Sequence, residues 1–400
     1  MAHPREQVKQ IFQAGVAAAD PYAAVMRHRD QMTPPSQIVA IGKAAVAMAR
    51  AALELFPETP CAVITNYENA QDLPGAKVMA AGHPIPDQNG LAATDVVLTA
   101  LRRATGPVLA LISGGGSALA PAPVAGVSLS DKAALNAALL ASGLDITQMN
   151  LVRQQISDMK GGGLLRAASP HPVTALILSD VIGDDLSVIA SGPTVPPLGT
   201  RSAACEVLRS AEIWQDAPQA IKTHLKQDAP QVVLPEAQNR LIGSNRQSLA
   251  AMAKTVPEAH VIETPIEGDV AQAAKMICDR SRHGITLWGG ETTVILRGTG
   301  RGGRNQELAL RIALEAKARG WRNWTCLQGG TDGRDGPTDA AGGLVDQGTL
   351  DRIAHAGGDI KALLANNDSY AALAFADDLI ITNATGTNVA DLGVMIRNAD

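Results

Sequence analysis

An α/β protein of two domains is what this sequence predicts, on three observations. Apolar runs of strand length, such as "QIVAIGK" (37–43) and "PVLALIS" (107–113), recur without polar alternation and are separated by alanine-rich helix patterns. Such strands belong to a mostly parallel sheet covered on both faces. Aromatics make up 2% of the chain against 46% hydrophobic residues in all, so its cores are built from aliphatic side chains and closely packed backbone. A chain of 400 residues also exceeds one ordinary core, which makes two domains the expectation.

The elements follow in order. Residues 5–19 carry an amphipathic helix pattern that stops at Asp20–Pro21, where a second helix can open. Strands are expected at 37–43, 61–66 and 76–84, with the alanine-rich helix 44–56 between the first two. A helix at 91–104 leads to the strand at 107–113, and "VTALILSD" (173–180) is a further apolar strand. The segment 226–240 is polar, holds two prolines and has no clear period, so the domains are drawn as 1–232 and 233–400. Beyond it, strand-like runs return at 240–245, 260–265, 284–298, 324–330 and 378–383. The expected picture is two α/β domains with a cleft.

Composition narrows the partners. A formal net charge of −5 and few aromatics leave little for phosphate backbones or base stacking, so nucleic acid is not expected. Cys61, Cys205, Cys278 and Cys326 are widely spaced without a C-x-x-C, as for buried free thiols. The N-terminus has no signal-type apolar region and no apolar run reaches about 18 residues. A cytoplasmic protein without a membrane partner is expected, and homo-oligomer formation is left open.

Five places can carry chemistry. Lys43 follows a strand and a glycine at the start of a helix, where a cation is unfavourable without an anion, unless its long stem takes the head to solvent. Ser113, Gly114, Gly115, Gly116 and Ser117 form a loop after a strand that reads as a phosphate nest or as a tight packing turn. It is neither a Walker A nor a G-x-G-x-x-G motif. Asp180 stands at a strand's carboxyl end with Asp184 and Asp185 beyond it, and Mg²⁺ takes one or two carboxylates plus substrate oxygens. N-capping is the other reading of Asp184 and Asp185. "GTGRGGRNQELAL" puts Arg301 and Arg304 where a helix begins, and guanidinium forks fit carboxylate or phosphate oxygens. "GGTDGRDGPTDAAGG" gathers Asp332, Asp335 and Asp339 after a strand, without the register of a calcium loop. One of these acids is a candidate base or metal ligand. Glycine loops with cations and glycine loops with carboxylates, all at strand ends, suit phosphoryl transfer.

"GKAA", "GHPIPD", "LISGGGSAL", "SDVIGDDLSVIASGPT", "GGETTV", "GRGGRNQELAL", "GTDGRDGPTDAAG", "NNDSY" and "TGTNVADL" occur in the order seen in the glycerate 2-kinase family with a MOFRL C-terminal domain, which the chain resembles over about residues 5–397. The resemblance implies Mg²⁺- and ATP-dependent phosphorylation of D-glycerate at its 2-hydroxyl. It also implies a larger Rossmann-like N-terminal domain, a smaller C-terminal α/β domain and an active site in the interdomain cleft. The family's active-site lysine falls on Lys43 and its arginine on Arg304, which makes both catalytic and substrate-binding candidates. Ser113–Ser117 and Asp180 become the nucleotide-binding candidates, Asp332 a catalytic one, and Asp180 and Asp332 the metal candidates. Members often read Val-Arg-Lys-His-Leu-Ser where this chain has "VRQQIS" (152–157), so no basic role passes to Gln154, while Arg153 remains a substrate-binding candidate.

Two other functions compete. Some members carry the label hydroxypyruvate reductase, but no G-x-G-x-x-G with an acid about 20 residues on is present. A non-enzymatic hydroxy-acid binder would use the same basic loops, yet it leaves the aspartate-rich loops unexplained.

Overall fold

The computed structural model describes residues 3–228 and 233–398, which form two compact units, Pro21–Ile242 and Met1–Asp20 with Gly243–Asp400. The expected boundary at 232/233 borders residues 229–232, which lie outside the described residues.

The first unit is built on β1 (Gln37–Ile41), β2 (Cys61–Asn66), β3 (Ala76–Ala81), β4 (Val108–Ile112), β5 (Val173–Leu178) and β6 (Ala237–Gly243). Their order in the sheet is β3-β2-β1-β4-β5-β6, and β1 to β5 pair in parallel. Every residue of β1, β2 and β4 is buried, which is why these runs are apolar throughout rather than alternating. Alanines on the helix Ala45–Leu55 let it lie close to β1 and β2, and the helix Gln88–Arg102 packs on β3 and β2. One core gathers Ile41, Ile64, Val97, Leu101 and Ile112. Leu135, Leu139, Val152, Leu208 and Ile221 form another, among helices inserted between β4 and β6.

The chain builds outward from β1 to β2 and β3, then returns across β1 to lay down β4, β5 and β6. The reversal leaves a crevice at the carboxyl ends of β1 and β4, the place where open α/β sheets bind ligands.

The second unit has β7 (His260–Val261), β8 (Ile266–Asp269), β9 (Gly284–Thr293), β10 (Trp324–Gly330), β11 (Gly342–Asp346), β12 (Leu379–Ile380) and β13 (Asp391–Arg397). They are ordered β12-β11-β10-β13-β9-β7, with β8 beside β9, and the pairs among β9 to β13 are antiparallel. Residues expected in the N-terminal domain belong here instead. The helix Pro4–Ala18 places Val8, Ile11 and Phe12 in a core with Leu287, Leu327 and Leu392. Arg5 ties the same helix down, with Nη1 2.5 Å from Asp346 and Nη2 2.8 Å from Asp378.

Phe12 is 2% exposed. Its replacement by alanine should cost about 3–5 kcal/mol of stability in the unit that holds Trp288 and Trp324. Urea unfolding followed by tryptophan fluorescence measures this, and a loss under about 1 kcal/mol would show that the helix is only loosely docked.

Candidate functional site

In the first unit the crevice assembles three sequence-predicted features. Gly42 and Lys43 follow β1, the loop Ser113–Ser117 follows β4, and Asp180 stands just past β5. The two loops are laced together: the Lys43 amide donates to the Gly114 carbonyl at 2.9 Å and the Ala44 amide to Ser113 Oγ at 3.1 Å. Gly114 has to be glycine, because a Cβ there would fall on the Asp180 carboxylate. Asp180 is thus pressed against the loop, and burial raises its carboxyl above the usual range while Lys43 opposes the rise. Asp185 turns to its own loop, accepting from the Ser187 amide at 2.8 Å and the Ser187 hydroxyl at 2.7 Å. It closes a turn, and the short helix Ile189–Ser191 that follows has no side-chain cap.

Sequence reasoning missed His83, Lys132 and Lys160. His83 lies against Gly115, as does the stem of Lys43, and burial followed by the Lys43 charge lowers its pKa. Lys160 Nζ donates to Ser117 Oγ at 2.5 Å, and Ser117 Oγ lies 3.1 Å from Ser191 Oγ. Arg153, whose Nε donates to Asn136 Oδ1 at 2.9 Å, lines one cavity with Lys132, Lys160, His83, Gly115 and Ser117. Gln154 holds the backbone together, since its amide nitrogen donates to the carbonyls of Ser187 and Ser191 and its oxygen accepts from the Leu198 amide. The "KGGG" run at 160–163 was a legible signal for Lys160, whereas nothing local marks Lys132.

In the second unit Arg304 opens the helix Arg304–Ala318 and its charge is already met within the unit. Its Nε and Nη2 clasp Asp391 at 2.7 and 3.1 Å, and Nη1 is 2.8 Å from Glu291. The first helical amides are met as well, since Asp335 accepts from Asn305 N at 3.1 Å and Gln306 N at 2.8 Å. Asn305 joins the two acids, with Nδ2 3.0 Å from Asp391 Oδ1 and 3.3 Å from Asp335 Oδ1. Gln328 and Trp288 extend this buried network. Burial raises the Asp335 carboxyl to about 6 against the two backbone donors. Asp332, the predicted catalytic acid, is half-buried next to this network and accepts from the Arg334 amide at 3.0 Å. Arg301 stacks on Tyr370 at 4.8 Å and donates to the Pro337 carbonyl.

Among the described residues no group of three or more His, Cys, Asp or Glu side chains is placed to hold a metal ion. No helix among the described residues is long and apolar enough to cross a membrane.

Such a crossover sheet, with a lysine, a glycine loop and an aspartate at its carboxyl edge, defines a doubly wound α/β protein, a class whose ligands bind at the switch point. Residues 7–226 match the domain of unknown function DUF4147 and residues 284–391 match the MOFRL family, so the chain belongs to the MOFRL/DUF4147 glycerate-kinase family. It is 39% identical to a D-glycerate 2-kinase of Thermotoga maritima, over 89% of each chain. It is 36% identical to a putative hydroxypyruvate reductase of Agrobacterium vitis, covering 98% of this chain and 94% of that one. The crystal structure of a Thermotoga maritima glycerate kinase superposes with a TM-score of 0.90 at 36% identity, over 98% of this chain and 99% of that one. The expected α/β class, with a largely parallel sheet in its N-terminal part, holds.

The Asp335 carboxyl gives a pH signature. Its folded pKa of about 6 lies above the unfolded value, so the folded state binds the proton more tightly. That contribution is fully present below about pH 4 and is lost as pH rises through about 6. Relative to Asp335→Asn, the wild type should therefore lose on the order of 2–3 kcal/mol between pH 4 and pH 7. Paired urea titrations across that range test it, and a pH-independent gap between the two proteins would show that Asp335 folds with an ordinary pKa.

Proposed function

We propose that the protein is an ATP-dependent glycerate 2-kinase, acting in the cytoplasm, which moves the γ-phosphoryl group of ATP to the 2-hydroxyl of D-glycerate and yields 2-phosphoglycerate and ADP. The observation that carries this reading is the meeting of Lys43, the loop Ser113–Ser117 and Asp180 at the carboxyl ends of β1, β4 and β5. A cation and backbone amides suit phosphate oxygens, and the carboxylate suits the ion that accompanies them. The kinase names of the relatives supply the acceptor and the position phosphorylated.

In this reaction the 2-hydroxyl oxygen bonds to the γ-phosphorus as the bond to the β,γ-bridging oxygen breaks, and ADP leaves with that oxygen. The hydroxyl proton passes to a carboxylate, for which Asp332 is the candidate. Lys43 stabilises charge on the phosphoryl oxygens. Arg304 is the second cation, oriented by its bidentate clasp of Asp391. Mg²⁺ bound with ATP would draw on Asp180, with Asp332 as the other candidate, and would neutralise phosphate charge.

The reductase reading lacks its nucleotide fingerprint. A dinucleotide's pyrophosphate is held by a G-x-G-x-x-G turn at the start of the helix after β1. Here that turn begins at Gly42, with Ala44 and Ala47 at the second and third glycine positions.

Incubation with D-glycerate and MgATP, and in parallel with hydroxypyruvate and NADH, should give turnover only in the first mixture. NADH oxidation without phosphoryl transfer would replace the kinase reading with the reductase one. Lys43→Ala should lower kcat by roughly 10²–10³-fold or more with an unchanged melting temperature. Near wild-type turnover would remove Lys43 from the reaction. Arg304→Ala should lower activity on the same scale but also unfold more easily, by about 3–5 kcal/mol, because it strands Asp391 as a buried charge. Excess chelator should abolish activity, and full turnover in its presence would overturn the phosphoryl-transfer reading.

A further inference from the structure

Beside the triple-glycine loop the first unit holds a cavity of about 500 Å³ whose three basic side chains have no part in the reaction as described above. Its lining joins His83, Gly115 and Ser117 with an aliphatic wall of Leu129, Leu135 and Leu139. Lys132, Arg153 and Lys160 line it too, and Lys160 meets Ser117. Lys160 is 3% exposed and Lys132 8% exposed, yet each ammonium donates only to a neutral oxygen: Lys160 to Ser117 Oγ, Lys132 to the Pro121 carbonyl. Arg153 holds only the amide oxygen of Asn136. Among the described residues none of the three has a carboxylate within salt-bridge distance, and Asp158, the acid that acts on Lys132 through space, is exposed.

Lysines are rarely buried without an ionic partner, because a desolvated ammonium is costly. Two such lysines, with the half-buried Arg153 on the same cavity, suit a ligand with several negative charges. The aliphatic wall asks that the same ligand carry a flat or apolar part, and the volume is that of pockets for medium-sized organic ligands. Glycerate has one charge and no apolar body. We infer that this cavity binds the nucleoside end of a nucleoside triphosphate, its base against the leucine wall and its α- and β-phosphates along Lys132, Arg153 and Lys160. The γ-phosphate then lies past Ser117 and Gly115, toward Lys43. The identity of the anion rests on the kinase reading; the charge and shape of the cavity do not. Arg153 is thereby assigned to the nucleotide rather than to glycerate.

The test is calorimetric titration of the full chain with ADP and with a non-hydrolysable ATP analogue, beside steady-state kinetics. Lys132→Met and Lys160→Met should each weaken nucleotide binding roughly tenfold to a hundredfold, the loss expected for a hydrogen bond between charged groups. Both should raise the KM for ATP while leaving that for glycerate within about twofold. Ala133 is exposed on the cavity rim, so Ala133→Trp obstructs the cavity with all three cations and the core intact, and should produce the same split. If the wild type phosphorylates glycerate but Ala133→Trp and Lys160→Met, both folded, keep the wild-type affinity for nucleotide, the cavity is not the nucleotide site. A rise confined to the glycerate KM overturns it equally, making the cavity the acceptor pocket. Nucleotide binding that the variants lose, in a protein that never phosphorylates glycerate, would sustain the site and overturn the kinase reading alone.

Discussion

A charge removed from water must find a partner, and the two units meet that constraint in opposite ways. In the second unit it is met within the fold. Arg304 holds Asp391 and Glu291, Asp335 receives the first amides of the helix, and Asn305, Gln328 and Trp288 extend the hydrogen bonding. In the first unit it is left open. Lys132 and Lys160 are buried against neutral oxygens, with Arg153 lining the same cavity. One arrangement makes a rigid cation of fixed direction. The other makes a cavity of basic groups that an entering anion would hold in their charged form.

That contrast changes the meaning of cations at helix starts. From sequence, Arg304 at the head of a helix calls for an external anion, because the helix end itself repels it. The fold supplies two internal carboxylates and a third at the amides. Arg304 therefore needs no ligand to be stable where it is, and its guanidinium is fixed before any substrate arrives. Lys43 differs, because its loop is held by backbone bonds to Ser113 and Gly114 rather than by its charge. Its head group makes no ion pair among the described residues, so its position at the crevice costs nothing in internal pairing.

Legibility in the sequence followed the range of the forces involved. The strands β1, β2, β4 and β5 were readable because burial on both faces leaves a nearly unbroken apolar run, a purely local mark. The strands β11 and β13 were not, since "GGLVD" and "DLGVMIR" carry glycines that weaken a strand pattern. Gly393 is there for a neighbour: the Trp288 indole of the adjacent strand occupies the place of a Cβ. The helix at 4–18 was legible as a helix, but its membership in the second unit was not, because Val8, Ile11 and Phe12 find their core in residues beyond 249. Among site residues, Lys43, the glycine loop, Asp180 and Arg304 sit at strand and helix ends that punctuation reveals. The clasp of Arg304 by Asp391 spans 87 residues and has no local signature. Nor does the burial of Lys132, which depends on how its helix packs.

The unpaired lysines also bear on stability. Replacing a buried, unpartnered ammonium with an aliphatic side chain of similar length removes a desolvation cost and keeps the packing. On folding grounds alone Lys132 and Lys160 are poor choices, and Pro121 and Ser117 offer them only neutral acceptors. Burial pushes the Lys132 ammonium down to about 7, so near neutrality part of its charge is already given up to lessen the cost of desolvation. A polyanion reverses that balance, drawing the proton back and turning the cost into binding energy. Stability surrendered at a cavity and recovered on occupancy is the pattern of a binding site, and it separates this cavity from the internally paired network around Arg304.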